Sequence, residues 1–511
     1  NRALRTGKHI QTLYIADAED AIVIKRFERG ALTLEVMDEI KIGDTVAAYG
    51  KVEFDSFSRE LVFMPDRIDK IEEVRRMDHA EKKRVELHVH TKLSEMDGVS
   101  GISEYIDEAV RWGHDAIAIT DHAVVQDFPK AQRYVEKINK GREKPFKMIY
   151  GVEMYMVDPF LEIVKNADDT LLEEGRYCVF DLETTGLSTR FDHIIEFGGV
   201  LVENRDITSA KQMFIKPPVE LSAFTTSLTN ITEEHLRNAP TIEEAMDELL
   251  AFIGDRILVA HNAQFDVNFL NDALIRMGRE PLKNPVIDTL DLSRSLHADR
   301  KAHRLGNIAR VYNIRYDEEV AHRADYDAKV LAQVYLNMLN DLKHIKTLKD
   351  LAGMYDESCF NKVRDKHIMV LAKNKAGLKE LFELITLSHT KYLSYNSKNT
   401  NNVVAEPKIF REEIAKRHKN GNLLLGSSCL NGEVFEIAQT RGEDKLKEVI
   451  QFYDYIEIQP LGNYMHLVER NSIGSKERLI EILKSIIKAA QELGKIVVAT
   501  GDCHYVQPEE K

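Results

Sequence analysis

The sequence predicts a multidomain, mainly α/β protein, and three observations lead to this prediction. At 511 residues the chain is long for one domain and suits about three, since a domain usually has about 100–200 residues. From Val85 onwards, short apolar segments alternate with segments of helical spacing, which is typical of a parallel α/β architecture. The first 76 residues instead hold closely spaced short strands, which predict a small β-barrel.

The pattern of each region predicts its elements. The barrel strands are expected at Ile10–Ile15, Ala21–Lys25, Thr45–Phe54 and Leu61–Ile71, with a charged connector at Glu72–Arg84. The first α/β stretch is expected to hold strands Val85–His90, Ala116–Thr120 and Met148–Val152 and a helix Ile102–Trp112 with Ser103 as its N-cap. The first barrel strand lies so close to Asn1 that an earlier strand is expected to be missing.

A different unit begins near Arg176, and the α/β rhythm returns after it. Its strands are expected at Tyr177–Leu182, Ile194–Val202, Lys211–Ile215 and Ile257–Ala260, with a helix capped by Thr241 and a long helix near Asp325–Leu342. The later strands are expected at His367–Ala372, Leu423–Gly426, Ile456–Gln459 and Ile496–Thr500, with a helix at Arg478–Leu493 and a polar surface loop at Ser394–Asn402.

Composition excludes several classes of protein. No apolar run approaches the ~18 residues that span a bilayer, so a membrane protein is excluded. No secretory signal follows Asn1, and four scattered cysteines fit a reducing cytoplasm better than a disulfide scaffold. A net charge of -14 argues against broad phosphate binding by the whole surface. Because the chain starts without Met and stops just after a polar motif, it is expected to be a piece of a larger protein.

Acidic residues recur at the ends of predicted strands and the starts of helices. Asp181 and Glu183 lie two apart on one strand and therefore share a face. An isolated pair of this kind is more often a solvated strand end, but Asp266 follows the strand Ile257–Ala260, and His322 precedes Asp327 by five residues. These three pieces, in this order, resemble the motifs of the DnaQ-like (RNase H-like) Asp-Glu-Asp-Asp-His exonucleases.

That resemblance implies roles for these residues. Asp181, Glu183, Asp266 and Asp327 would bind two Mg²⁺ or Mn²⁺ ions, because carboxylate oxygens suit such hard cations. His322 would be the general base. Asp325 competes with Asp327, although the five-residue spacing from His322 favours Asp327. The remaining assignments concern the terminal nucleotide, which would be cradled by Thr184, Thr185, Gly186 and Leu187. Leu187 and Phe265 would pack either on its base or in the protein core. His261 and Asn262 would either reach a phosphate or cap the following helix.

Ligand-type residues also follow the strands of the α/β stretches. They are His88, His90, Asp97, His122, Glu153, Cys429, Asp502 and His504. Barrels of α/β units keep their active sites at the carboxyl ends of their strands, and mixed imidazole, thiolate and carboxylate ligands favour Zn²⁺, Mn²⁺ or Fe. The set resembles the PHP (polymerase and histidinol phosphatase) domain, a distorted (β/α) barrel. This resemblance adds His367 as a ligand, although His367 precedes its strand.

The predicted domain order is itself informative. A partial OB-like β-barrel at 1–76 precedes a first PHP half at 84–165, an inserted 3′→5′ exonuclease at 174–342 and a second PHP half at 346–511. This order resembles the amino-terminal part of the PolC-type bacterial replicative DNA polymerase III alpha subunits. The resemblance implies as partners a primer 3′ end, single-stranded or mismatched, polymerase domains outside this chain, and replisome components such as the sliding clamp.

Three functional hypotheses follow from the sequence. The first is a proofreading 3′→5′ DNA exonuclease that releases nucleoside 5′-monophosphates. The second is a scaffold in which the PHP metals fix the barrel for polymerase domains. The third gives the PHP site a phosphoesterase activity of its own, on a DNA end or on pyrophosphate.

Overall fold

The computed structural model describes residues 1–511 except 5, 18–19, 31, 73–75, 95–96, 159–161, 298–299, 301, 355–362, 400–401, 508–509 and 511. Two compact units are present. The first contains residues 1–150 and 501–511, and the second contains residues 151–500. Strands and helices alternate through both, which confirms the prediction of a multidomain, mainly α/β protein. Among the described residues, no helix combines the length and the apolar character that crossing a lipid bilayer requires.

The first unit begins with a five-stranded sheet. Its elements are β1 (Arg2–Ala3), β2 (His9–Ala16), β3 (Ala21–Phe27), α1 (Leu34–Met37), β4 (Val46–Asp55) and β5 (Glu60–Lys70), and the strand order is β1-β2-β3-β5-β4. Ile24, Met37 and Val62 are fully or almost fully buried in it. The four predicted strands are present, and β1 is a fifth that the sequence did not indicate; the OB assignment stays a prediction.

The rest of the first unit contains the segment Val85–His90, with its two histidines, and the elements that follow it. Its elements are α2 (Ile102–Arg111), β6 (Ala116–Ile119), α3 (Phe128–Ile138) and the start of β7 (Lys147–Val157). Strand β6 pairs in parallel with the first four residues of β7. The prediction of Ser103 as N-cap is wrong, because Gly101 occupies that position and its N–H donates to Glu104 at 2.8 Å.

The segment Val85–His90 is not the continuous strand that its alternation predicted. Glu86 forms a parallel bridge with Ile117, whereas Val89 forms one with Cys503. The segment thus exchanges one neighbour for another within four residues, which interrupts a regular ladder. The backbone remains hydrogen-bonded, since the N–H of His90 donates to the carbonyl of Cys503 at 2.8 Å.

The second unit contains a six-stranded sheet with the order β11-β10-β9-β12-β13-β8. Its strands are β8 (Val164–Lys165), β9 (Tyr177–Thr184), β10 (Ile194–Glu203), β11 (Asp206–Phe214), β12 (Ile257–Ala260) and β13 (Val286–Asp288). Its helices are α4 (Ala223–Thr229), α5 (Glu233–Leu236), α6 (Ile242–Ile253), α7 (Ala263–Arg276), α8 (Thr289–Leu296), α9 (Leu305–Val311), α10 (Ala324–Asp341) and α11 (Leu348–Ala352). Strands β9, β10 and β11 are antiparallel, and β12 runs parallel to β9.

Helix α10 lies directly on β10 at a glycine. A Cβ atom on Gly198 would be 2.1 Å from the carbonyl carbon and oxygen of Ala324, so only glycine permits this approach. The first turn of α10 is therefore held against the middle of the sheet. This contact positions Asp327, which lies in that turn.

A second sheet in this unit contains the later strands. The elements are β14 (Lys366–Ala372), α12 (Lys375–Thr390), β15 (Leu393–Asn399), β16 (Asn402–Phe410), α13 (Arg411–His418), β17 (Leu423–Gly426), α14 (Glu433–Thr440), α15 (Glu443–Ile450), β18 (Tyr455–Ile458), α16 (Leu461–Glu469), α17 (Lys476–Glu492) and β19 (Ile496–Ala499). Strands β17, β18 and β19 are parallel.

Two expectations for this sheet are wrong. Strand β14 is antiparallel both to β17 and to the part of β7 from Gly151 onwards, so the architecture is not purely parallel. Of the polar stretch Ser394–Asn402, Ser394–Asn399 lie in β15 and Asn402 begins β16, its antiparallel partner, rather than forming a surface loop; residues 400–401 lie outside the described residues. Backbone pairing needs no apolar side chains, which explains why hydropathy gave no signal for this pair.

Replacing Gly198 by Ala tests the contact between α10 and β10. The added methyl group meets backbone atoms that have no room to move, so we expect a destabilisation of about 1–3 kcal/mol, seen as a lower calorimetric unfolding temperature. Gly462→Ala is the matched control, because a Cβ there has no neighbour within 4 Å. Equal unfolding temperatures for the two variants would contradict this account of the packing.

Candidate active site

Three elements of the six-stranded sheet bring four carboxyl groups together. Asp181 and Glu183 lie on β9, where they face Gly198 and Glu196 of β10 in the strand register. Asp266 lies in the first turn of α7 and Asp327 in the first turn of α10. Asp266 is 3% exposed and Asp327 is 7% exposed. Asp181 and Glu183 are partly buried beside them.

Hydrogen bonds fix the geometry of this cluster. The Oδ1 atom of Asp266 accepts from the N–H of Leu182 at 3.1 Å, which ties the start of α7 to β9. Glu183, His322 and Asp327 each offer a ligand atom, and these atoms lie within 4.8 Å of one another. Asp181 interacts electrostatically with Glu183, Asp266 and Asp327. The structure therefore brings together all five residues of the predicted exonuclease constellation.

Burial and mutual repulsion perturb the acids strongly. Desolvation, and then the neighbouring carboxylates, raise the pKa of Asp181 well above its usual range, and burial does the same for Asp266. Desolvation is also the main cause that raises the pKa of Glu183 to about 9. Burial raises the pKa of Asp327 too. Buried, mutually repelling carboxyl groups bind protons more readily than ordinary ones unless a cation compensates their charge, so the donor set fits hard divalent ions.

His322 lies at the open side of the cluster. Its backbone has a φ of 63°, in the left-handed region that non-glycine residues rarely adopt. Its N–H donates to Oδ2 of Asp327 at 3.1 Å, and its side chain is exposed. The other oxygen of Asp327, Oδ1, is buried without a hydrogen-bond partner in the described part of the chain. An exposed imidazole beside buried carboxylates is well placed to take a proton from water.

The structure distinguishes Asp327 from Asp325, the other candidate for the fourth metal-binding carboxylate. Asp325 is two residues earlier on α10, and its carboxylate pairs with Lys329 at 2.8 Å. Asp325 is thus half of an i,i+4 surface ion pair, whereas Asp327 points into the acidic cluster. The geometry agrees with the five-residue spacing that favoured Asp327.

The segment that runs from the last residue of β9 to the start of β10, the loop 184–193, contains the predicted nucleotide cradle. The Thr184 hydroxyl donates to the carbonyl of Gly186 at 2.6 Å, and the N–H of Thr185 donates to the carbonyl of His193 at 2.9 Å. Leu187 is 57% exposed, so ordinary core packing does not describe it. Phe265 is half-buried and packs against the core beside Phe269, with 4.9 Å between the ring centroids.

His261 and Asn262 differ in their surroundings. The His261 ring bonds with the Thr289 hydroxyl at 3.0 Å and the carbonyl of His303 at 2.8 Å, and burial lowers the pKa of His261 to about 4. It is a structural histidine with both ring nitrogens engaged. Asn262 is exposed at the N-cap of α7 with a left-handed φ of 70°, and its side chain makes no capping bond. The N-terminal N–H groups donate to Asp288 instead.

Glu196 and Arg323 support the carboxyl cluster, although neither belongs to a motif that the sequence predicted to be functional. Glu196 is fully buried on β10 and accepts from Arg323 Nη2 at 3.0 Å and from the N–H of Ala324 at 3.0 Å. These bonds fasten the start of α10, which carries Asp327, to the strand beside Glu183. The sequence does indicate Glu196 in one way, because it is an acidic residue within the otherwise apolar run Ile194–Val202.

Six of the predicted PHP ligands lie in the first unit, and four of them cluster tightly. His90, Asp97, His122 and His504 offer ligand atoms within 4.8 Å of one another. The Nε2 atoms of His122 and His504 are each 2.9 Å from an Asp97 oxygen. Burial acts to raise the pKa of Asp97, but the hydrogen bonds to His122 and His504 outweigh it and leave this pKa lowered.

The other two first-unit ligands adjoin this cluster. His88 is fully buried, and its Nε2 lies 3.1 Å from Nε2 of His90. The same Nε2 atom lies 3.2 Å from Oδ1 of Asp502. Ring nitrogens and carboxylate oxygens at this density form a donor set that suits a borderline transition metal ion.

The second unit contains Glu153, His367 and Cys429. The His367 Nδ1 atom is 3.0 Å from Oε1 of Glu153 and 3.5 Å from Sγ of Cys429. His367 lies at the beginning of β14, but β14 runs antiparallel to β7, and His367 pairs with Tyr155. The reversed strand brings its start to the edge where β7 ends, which explains why this histidine lies at the start of its strand rather than after its end.

Two family models match parts of the chain. The family model described as Exonuclease matches residues 178–335, and the PHP domain model matches residues 284–460. Exonuclease X in complex with 5′ overhanging duplex DNA is a solved structure with 24% identity that covers 35% of this chain and 98% of its own. Its TM-score of 0.29 is too low to carry an argument about the fold or the site.

Two curated relatives are described as DNA polymerase III PolC-type. The protein of Halalkalibacterium halodurans is 39% identical over 513 residues, and that of Bacillus subtilis is 40% identical over 516 residues. Each alignment covers 100% of this chain and 34% of the relative, so the chain spans about a third of their length. The resemblance that the motifs indicated is confirmed: over its whole length the chain is a relative of PolC-type DNA polymerase III, with an exonuclease region and a PHP region.

Proposed function

We propose that this chain contains a metal-dependent 3′→5′ DNA exonuclease that removes mispaired nucleotides from a primer end for a replicative polymerase. One observation carries the proposal: four buried or partly buried carboxyl groups from β9, α7 and α10 converge, with His322 at their open side. The polymerase context is supported by the whole-length similarity to PolC-type DNA polymerase III. Polymerase domains and a sliding clamp are the partners that this context implies.

Asp181, Glu183, Asp266 and Asp327 would hold two Mg²⁺ or Mn²⁺ ions, which supply Lewis-acid activation of water and neutralise charge on the leaving 3′ oxygen when bound. His322 accepts the proton of the attacking water at its imidazole nitrogen. The water oxygen bonds to phosphorus as the bond from phosphorus to the 3′ oxygen breaks. A nucleoside 5′-monophosphate and a shortened strand result.

The loop 184–193 and the start of α7 would hold the terminal nucleotide. Leu187 is exposed and would supply apolar surface for a base, and Phe265, half-buried against the core, would supply more. Asn262 presents an uncommitted amide group at the N-terminus of α7. Thr184, Thr185 and Gly186 contribute the shape of the cradle through their internal hydrogen bonds.

A second proposal concerns the PHP ligands. The imidazole and carboxylate cluster of the first unit would hold Zn²⁺, Mn²⁺ or Fe, and Glu153, His367 and Cys429 supply ligand groups in the second unit. These metals would stabilise the barrel as a scaffold for polymerase domains. A phosphoesterase activity at these ligands is the alternative.

Digestion of a primer–template with a mismatched 3′ end in Mg²⁺ tests the exonuclease. We expect Asp181→Ala/Glu183→Ala and Asp327→Ala to lose activity by more than about 1,000-fold, since the metal ligands are removed. His322→Ala should lose about 10²–10⁴-fold, the usual contribution of a general base. Asp325→Ala removes an equal charge two residues from Asp327 and should remain within about twofold of wild type. Equal digestion by wild type and Asp327→Ala would refute the assignment.

The pH dependence of metal binding provides a further test. Because burial raises the pKa of Glu183 to about 9, protons compete with the metal below that value and the competition weakens as pH rises. We expect about 5 mM Mg²⁺ to raise the unfolding temperature more at about pH 8.5 than at about pH 6.5. Asp181→Asn/Glu183→Gln should lose this difference. An Mg²⁺ effect independent of pH would contradict the predicted competition.

The PHP proposal is tested in Asp181→Ala/Glu183→Ala, where the exonuclease site no longer contributes. Chelation should lower the unfolding temperature, and His122→Ala should abolish both that response and the bound metal measured by elemental analysis. His114→Ala removes another imidazole–carboxylate contact, 2.9 Å from Asp78 outside the cluster, and should retain the metal. Residual hydrolysis that disappears with His88→Ala would favour the phosphoesterase instead.

A further inference from the structure

The carboxylate of Asp192 organises the loop 184–193 from within. Asp192 is 4% exposed, and its Oδ2 accepts from the N–H of Ser188 at 2.8 Å. Its Oδ1 lies 3.5 Å from the Thr185 hydroxyl. A Cβ atom on Gly186 would lie 2.5 Å from this carboxylate, so the loop closes tightly around it. The shape of the proposed nucleotide cradle therefore depends on a buried acid that the cradle itself does not neutralise.

The neutralising charge comes from outside the six-stranded sheet. Arg478, in the first turn of α17, donates from Nη1 to Oδ1 of Asp192 at 2.9 Å and from Nη2 to Oδ2 at 2.5 Å. Its guanidinium also lies 4.9 Å from the ring centroid of Phe191 in the same loop. This bidentate geometry fixes both the position and the orientation of the carboxylate. Helix α17 packs with the second sheet, next to β18 and β19.

A second contact ties the same loop to the region of the second sheet. The N–H of Thr189 donates to the carbonyl of Thr440 at 3.3 Å, and its hydroxyl, which donates to Asp272, lies 3.1 Å from the same carbonyl. Thr440 is the last residue of α14, whose terminal carbonyl groups lack partners within the helix. Arg276 of α7 completes the arrangement by donating to the carbonyl of Thr189 at 2.8 Å. The loop is thus held at two points by residues that follow the inserted sheet.

We propose that Arg478 is a positioning residue for the exonuclease reaction: it acts through Asp192 to hold the 184–193 loop in the shape that receives the terminal nucleotide. This inference rests on the proposed exonuclease function. The contact has an electrostatic consequence as well, since removing Arg478 leaves a buried, unpaired carboxylate.

The test measures kcat and KM of the full chain on a 3′-mismatched primer in Mg²⁺. Arg478→Ala should raise KM about tenfold while kcat stays within about twofold, because binding of the nucleotide is disturbed and the metal ligands are not. Asp192→Asn should have a similar effect, since it removes the acceptor of the same contact. The double variant should match the single variants rather than show the product of their effects, about a hundredfold, because both act through one contact.

Lys488→Ala is the matched control. Lys488 lies on the same helix α17 and forms an exposed ion pair with Glu443 at 3.2 Å, so its removal changes the charge equally without touching the loop. Its KM should equal that of wild type. Arg478→Lys keeps the charge but loses the bidentate fork, and its KM should fall between those of wild type and Arg478→Ala.

The outcomes distinguish this inference from the function on which it rests. Unchanged KM in folded Arg478→Ala, or multiplied effects in the double variant, would overturn the positioning role while leaving the exonuclease intact. Should Arg478→Ala fail to fold, Arg478→Lys and Asp192→Asn decide the matter by the same KM criterion. Activity that persists in Asp181→Ala/Glu183→Ala would instead refute the exonuclease function.

Discussion

Four carboxyl groups buried in one small volume repel one another and lose their hydration, and much of the inserted sheet can be understood as the means of holding them there. Burial raises the pKa of Asp181, Glu183, Asp266 and Asp327, so the site is ready to exchange protons for cations. A folded chain accepts such a cluster only if its scaffold is rigid enough to prevent the acids from separating.

The scaffold holds the acids together in two ways: a helix approaches the sheet closely, and buried polar groups form hydrogen bonds with one another. Gly198 lets α10 lie on β10, and the buried Glu196 binds the start of that helix through Arg323 and Ala324. The backbone of Leu182 holds Asp266 in place. The loop beside the cluster is anchored from α17 and α14, so the geometry of the proposed cradle depends on both sheets of the second unit.

Much of this arrangement could be predicted from local pattern. The apolar strands, the capped helix at Thr241 and the order of acidic motifs are properties of short sequence windows, and the structure contains them. Long-range pairing produced the errors. Val85–His90 divides its hydrogen bonds between two neighbours, β14 runs against the parallel trend, and the polar residues Ser394–Asn399 lie in the strand β15. Glu196 was missed because its partners, Arg323 and Ala324, lie far along the chain.

The short strand β8 has a practical consequence for expressing parts of this protein. It begins ten residues before the predicted start of the insertion at 174, yet it pairs with β13, and Ile163 and Val164 belong to the same core as Tyr335. Leu348 and Leu351 of α11 join that core from beyond residue 342. A recombinant exonuclease fragment cut at 174 and 342 would expose a sheet edge and an apolar surface, both of which promote aggregation. Cloning boundaries outside 162 and 353 would keep that core covered.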